Sequence, residues 1–460
     1  MEHNTNAPNP SANSRKKVVI VGAGPTGALT ALYLAQLGWQ VSVYERRPAQ
    51  PDADGSRRAY NIVLNSRGLK AIAQAGVELP PDKRVVLQGN VRHTAKGATL
   101  SQGFSNSVSV DRTTLAQCLI QAGKNRYPSQ IQYHFQHTLQ TINVQAKTAS
   151  FQGPTGVHPQ TFDLLIGADG AFSTVRAEMV AQLPGFQVQQ NQDQMQFKIC
   201  QLGSAADLPG ATDIWAECFH TWPNVQPVSL LAPPSTDGRL RGVLILPQQD
   251  KFTYEKLQTE AAIADLFAQK FPDIFPELRS KGFPPEFVKD LLAQKAAYGG
   301  ITTICNRFDG DGVVLLGDAA HSVWASLGQG CNVALESCRV FAETLGQNQG
   351  DLNQALATYT AIRKPDTDAI AKLSEIGFGG NKRVGNWLFF SKIVALMLLH
   401  KLFPEWFQTF ALLQIGNAEV PYRQIWQQSQ TQNRQFFILL TIVIGLLLPM
   451  VRLIVRLGWD

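Results

Sequence analysis

Gly22-Ala23-Gly24-Pro25-Thr26-Gly27 has the glycine spacing that lets a backbone turn close on a phosphate. Gly22 permits the tight turn, Gly24 leaves room for a pyrophosphate, and Gly27 allows a helix to pack closely on a strand. Thr26 lies inside the turn, at the helix start whose unpaired N–H groups favour an anion. Alone, the hexamer could be an ordinary glycine-rich turn. Glu45 changes its meaning, because it ends a β-branched run eighteen residues after Gly27, where a carboxylate accepts hydrogen bonds from an adenosine ribose. An acid there favours FAD or NAD over a 2′-phosphorylated dinucleotide, an argument softened by Arg46 and Arg47.

Two later segments supply more groups of this kind. Phe162 to Ile166 reads as a buried strand running into Gly167-Ala168-Asp169-Gly170 and a polar helix start that reaches Arg176. Val313 to Leu316 reads as another, followed by Gly317-Asp318-Ala319-Ala320-His321 and then Gly328-Gln329-Gly330-Cys331-Asn332 opening a helix. Asp318 at a strand end can accept hydrogen bonds from ribityl hydroxyls, although helix capping is its plainer role. The helix start at Gly330 can place positive partial charge near a flavin's N1 and O2, where negative charge accumulates on reduction. A structural role is expected for His321, and no residue is singled out as a catalytic acid or base.

The elements that must hold these residues follow from pattern. Lys17 to Val21, Ala28 to Leu37 and Gln40 to Tyr44 form a βαβ unit. The expected fold class is α/β: a discontinuous Rossmann-like FAD-binding domain over 17–186 and 305–370, with a β-sheet substrate domain inserted at 187–304. A helical region over 371–435 follows, and residues 1–16 are expected to be a disordered arm. Residues 436–457 form a final apolar helix, since Phe436 to Val451 contains one polar residue, Thr441. That run spans roughly 24 Å at about 1.5 Å per residue, short of a hydrocarbon core of about 30 Å. It is expected to associate with a membrane, with Arg452, Arg456 and Trp459 as interfacial anchors, on the cytoplasmic side; a buried helix is the alternative.

Composition excludes other classes. Among 460 residues, 44% are hydrophobic and 17% charged, a folded-protein balance. Lys and Arg number 41 against 35 Asp and Glu, without basic runs among aromatics, so nucleic acid is not an expected partner. Six cysteines without CxxC spacing suggest neither a disulfide scaffold nor a metal centre.

With these three segments in this order, the chain resembles the class A flavoprotein monooxygenases, the single-component aromatic hydroxylases, and within them the kynurenine-hydroxylating branch. The likeness also takes in Tyr60 to Gly68, Val110 to Leu115, Ala361 to Pro365 and a hydrophobic C-terminal anchor. It implies that Asp169 lies in a segment serving both FAD and NAD(P)H, that Arg112 and Leu139 contact FAD, and that Cys331 and Asn332 meet the isoalloxazine. Its implied chemistry is hydroxylation of an aromatic substrate with O₂ through a flavin C4a-hydroperoxide, with NADPH or NADH as co-substrate. Two departures bear on the substrate. Ala325 stands where the family usually has proline, and Asn90 to Phe104, where the kynurenine hydroxylases hold a carboxylate with Arg and Tyr, contains no tyrosine. Arg92 and Gln102 are the candidates left there. A flavin-dependent epoxidase or reductase acting on a lipid or quinone precursor, and a membrane-associated flavin-binding protein without turnover, remain open alternatives.

Overall fold

The computed structural model describes residues 16–50, 60–94, 96–101, 106–225, 228–274, 285–348, 351–377, 383–405 and 407–457. The expected arm at the N-terminus, Gln102 and Trp459 lie outside these residues.

The βαβ unit forms as the pattern requires. Strand Lys17–Val21 is buried except at Lys17, helix Pro25–Gln36 has proline in its first turn, and strand Gln40–Glu45 returns parallel to the first. These belong to a six-stranded sheet with the order 309–310, 313–315, 164–167, 17–21, 40–45 and 131–135, parallel except for the short strand Asp309–Gly310. Its middle strands are almost continuous in Val, Ile and Leu because both faces are covered, by helices such as Pro25–Gln36 and by an antiparallel sheet of residues 138–143, 148–153 and 156–161 that buries Ile142, Ala149 and Phe151. This parallel layer is therefore discontinuous in sequence.

A seven-stranded sheet forms the second layer, with the order 297–298, 195–204, 239–247, 228–232, 218–225, 89–94 and 97–101. Two of its strands, Gly89–Thr94 and Gly97–Ser101, come from well before residue 187. The boundary expected at 187 thus leaves out one hairpin. Short-range patterning could not assign it, because it joins the sheet by parallel pairing of Asn90 with Phe219, far away in sequence. Helix Glu260–Lys270 packs on the back of this sheet, burying Ile263, Leu266 and Phe267 among Leu230, Leu244 and Trp222.

The C-terminal region is helical: Leu352–Ile376, Arg383–Leu402 and the 36-residue helix Tyr422–Leu457. The first ends at Gly377, whose φ of 53° is a helix stop that favours glycine. No helix among the described residues is long and apolar enough to cross a membrane.

Candidate active site

The three glycine-bearing segments are neighbours in space because their strands are neighbours in the sheet. Val21 pairs with Gly167, and Gly167 with Leu315, so the turns leave the sheet side by side at its carboxyl edge. That edge is where open α/β sheets bind ligands. Glu45 ends the next strand over, one residue past the pairing of Val21 with Tyr44.

The glycines divide the work as their spacing implies. Gly22 has φ of 102°, and a Cβ there would lie 2.5 Å from the Ala168 carbonyl oxygen, which packs the first turn against the second. A Cβ on Gly27 would lie 1.9 Å from the carbonyl oxygen of Gly22. Gly24 is the opposite case, with nothing within 4 Å of a would-be Cβ. That open space lies at the N-terminus of helix Pro25–Gln36, as a pyrophosphate requires. Thr26 packs beneath Gly317, where a Cβ would lie 2.6 Å from its Oγ1.

Glu45 braces the turn as well as facing it. Its carboxylate accepts from Ala23 N at 2.8 Å and from Arg47 N at 3.0 Å, leaving about half of its lone pairs for other donors. Asp169 accepts from Ser173 Oγ at 2.6 Å, Thr174 N at 2.7 Å and Val175 N at 3.2 Å. Its main visible task is therefore capping the helix that follows.

A charged cluster lies around the third segment. Burial holds the Asp318 carboxyl above the ordinary carboxylate range, and Arg112 offsets only part of that rise. Burial would lower the Arg112 guanidinium, but Tyr60, Asp318, Cys331 and Glu45 outweigh it and hold the charge firmly. Arg112 nonetheless keeps an exposed surface. Burial pushes the Cys331 thiol up to about 12, so it is a neutral wall and not a nucleophile. Next to Gly330 a Cβ would have one neighbour within 4 Å, Val323 Cγ2 at 3.9 Å, leaving room before the first-turn N–H groups of helix Gly330–Gln347.

The side chains of several expected site residues are already engaged within the protein. The Asn332 side chain is spent within the protein: Oδ1 accepts from Asn65 N at 3.0 Å, and Nδ2 donates to Val63 O at 2.9 Å and Gly328 O at 3.2 Å. A flavin contact at Asn332 falls to its backbone. Leu139 is buried in the core, so its side chain is likewise committed to packing. His321 is buried, its Nε2 lies 3.0 Å from Ser337 Oγ, and burial drives it down to about 3, so it stays neutral and structural. Arg92 is exposed on strand Gly89–Thr94, beside Asn90, whose buried Oδ1 has no hydrogen-bond partner among the described residues.

Sequence reasoning gave Tyr60 no role of its own. It adjoins Arg112, Asp318 and Cys331 electrostatically and meets Phe197 of the second sheet edge to face at 6.4 Å, placing it between the two layers. It also missed a buried triad in which Glu336 binds Arg67 at 2.9 Å and Arg363 at 2.7 Å. The same Arg67 guanidinium donates to the carbonyls of Ile415 and Val420 and stacks on Tyr422 at 3.8 Å. Tyr422 Oη donates to Gln329 Oε1 at 3.1 Å, so the C-terminal segment is tied to the turn before Gly330.

The donor set fits FAD: an open phosphate cradle, two carboxylates at strand ends, one well-held guanidinium and a helix start beside free space. The profile of the FAD binding domain family matches residues 15–374, and the chain belongs to that family, as a class A FAD-dependent monooxygenase. Two relatives bear the name kynurenine 3-monooxygenase over nearly their whole length. That of Salinispora tropica is 31% identical, covering 91% of this chain and 92% of its own; that of Sus scrofa is 29% identical, covering 92% and 89%. Among solved structures, Pseudomonas aeruginosa PqsL in complex with 2-aminobenzoylacetate is similar with a TM-score of 0.63 at 18% identity, covering 82% of this chain and 100% of that one. 2-methyl-3-hydroxypyridine-5-carboxylic acid oxygenase follows at 0.58 and 20%, covering 78% and 90%. At these identities the two structures speak for the fold alone.

Proposed function

We propose that this enzyme hydroxylates an aromatic ring bearing an amino-acid-like side chain, of the kynurenine kind, at the junction of the two sheets. The observation that carries this reading is the convergence of Tyr60, Arg112, Asp318 and Cys331 between the carboxyl edge of the parallel sheet and the layer that bears Asn90 and Arg92. FAD, when bound, supplies the redox chemistry that takes electrons from NAD(P)H and transfers one oxygen atom of O₂ to the ring.

The chain's own part is to bind, orient and exclude water. Gly24 and the start of helix Pro25–Gln36 would take the pyrophosphate, Glu45 the adenosine ribose, and Asp318 the ribityl hydroxyls. Arg112 would neutralise charge beside them, and the N–H groups of Gly330, Cys331 and Asn332 would face the pyrimidine edge of the flavin. Arg92 would meet the substrate carboxylate in place of an Arg and Tyr pair. NAD(P)H oxidation by holoenzyme with kynurenine, a decarboxylated kynurenine and a quinone lipid precursor tests this reading. The strongest stimulation is expected with kynurenine; stimulation by the lipid alone would favour the epoxidase or reductase alternative.

The same enzyme is proposed to lie on a membrane surface. Val394, Met397, Leu398 and Leu402 of one C-terminal helix and Phe437, Ile438, Ile442 and Ile444 of the next are exposed. Lys392 Nζ donates to Asn433 Oδ1 at 2.7 Å, joining these two helices. Two joined helices with exposed apolar side chains suit an interfacial contact without a span.

A further inference from the structure

Behind strand Gly89–Thr94 runs a chain of polar atoms that the flavin chemistry does not use. Asp273, just after helix Glu260–Lys270, has Oδ2 at 3.0 Å from His93 Nδ1 and 2.9 Å from Trp222 Nε1. His93 Nε2 lies 2.9 Å from His220 Nδ1, and His220 Nε2 lies 2.9 Å from the Trp215 carbonyl oxygen. Both imidazoles are buried.

This is a series of three links: carboxylate to His93, His93 to His220, and His220 to carbonyl. Each link needs one proton. A carboxylate and a carbonyl bring none, and a neutral imidazole brings one. Two neutral rings therefore leave one link with lone pairs face to face, an arrangement strongly disfavoured away from water. Three links require a third proton somewhere in the chain.

Its location follows from the surroundings. Burial pushes the Asp273 carboxyl up, but bonds from His93 and Trp222 outweigh this and hold it below the ordinary carboxylate range. Burial pushes His220 down to about 4, so that ring keeps one proton, on the nitrogen facing Trp215 O. The ring left to take the third proton is His93. Its ring stacks on the Trp222 indole with centroids 4.1 Å apart and planes 8° from parallel, and the Trp215 ring lies perpendicular to it at 5.6 Å.

We infer that His93 carries both ring protons in the folded enzyme, and that this buried imidazolium is a positioning group for the strand bearing Asn90 and Arg92. The chain joins four elements: the turn at Asp273, strand Gly89–Thr94, strand Cys218–Val225 and the short helix Asp213–Glu217. Val91 and His93 face the core while Asn90 and Arg92 alternate to the other side, so fixing His93 fixes the register and tilt at which Arg92 is offered. The link to substrate rests on the proposed role of Arg92.

Full-length holoenzyme labelled with ¹⁵N in histidine tests this at about pH 7.5, where a histidine with a pKa of about 6.5 is mostly neutral. The His93 signals, assigned by their loss in His93→Gln, are expected to show a proton on both ring nitrogens. Asp273→Asn keeps an acceptor oxygen but removes the charge; His93 is then expected to lose one ring proton. KM for the aromatic substrate should rise several-fold, with kcat and FAD content nearly unchanged. A singly protonated His93 in the unmodified enzyme overturns the inference, as does an Asp273→Asn variant with unaltered KM. Should no aromatic substrate be turned over, the ¹⁵N spectrum of the unmodified enzyme decides the protonation alone, so that failure is distinct from failure of the proposed substrate.

Discussion

Side chains added at two glycines of one turn should fail in different ways. Gly24→Ala points its methyl into open space, so the chain should fold with a stability change within about 1 kcal/mol while losing its FAD. Gly27→Ala drives a methyl to 1.9 Å from a backbone oxygen and should cost about 3 kcal/mol or more, destroying the fold before binding is at issue. Flavin absorbance after reconstitution, beside thermal unfolding of the apoprotein, separates the two. Arg112→Ala should weaken FAD by roughly ten- to a hundred-fold, the worth of a charge-assisted contact of about 1.5–3 kcal/mol; titration of apoprotein with FAD reads it. The same size of effect on KM, without loss of FAD, is expected for Arg92→Ala with a carboxylate-bearing substrate. Roles set by local backbone demand were legible in the sequence: Gly22 and Gly27 are where a turn and a close approach occur. Roles set by distant partners were not. Asn332 spends its amide on Val63 and Asn65, and Tyr60 meets Phe197 of the other sheet, contacts that no spacing encodes.

At the scale of elements, the buried triad decides how the C-terminal helix is held. Burial pushes the Glu336 carboxyl up, but Arg363 and Arg67 outweigh it and hold the group below the ordinary glutamate range. A folded pKa below the unfolded value of about 4.3 means fewer protons bound in the native state. The resulting stability is complete above that pH and is lost as pH falls through the folded value. Glu336→Ala leaves two buried guanidinium groups facing each other and should cost about 3–5 kcal/mol. Glu336→Gln should flatten the acid limb of the stability profile; denaturant midpoints between pH 3 and 7 give the slope. Strands, helices and most of their limits were readable because burial period and punctuation are local, as Gly377 ending its helix illustrates. The hairpin Gly89–Ser101 was misplaced because its sheet is defined by pairing with residues 218–225.

For the whole molecule, the chain builds one parallel layer from residues far apart and leaves exposed apolar residues on its last two helices. Removing residues after Gln435 deletes Phe437, Ile438, Ile442 and Ile444 but spares Tyr422 and the Arg67 anchor. The shortened enzyme should keep FAD, since the residues proposed to hold it all precede this point, and should bind anionic lipid vesicles much more weakly in a flotation assay; equal flotation would remove the membrane-surface proposal. The central claim is that the converging turns hold FAD in a site where O₂ meets an aromatic ring. Turnover of holoenzyme with NAD(P)H and kynurenine under ¹⁸O₂ tests it most directly. One ¹⁸O atom is expected in a ring hydroxyl of the product, with NAD(P)H consumed in proportion; product lacking ¹⁸O, or NAD(P)H oxidation indifferent to any aromatic substrate, would rule out hydroxylation at this site.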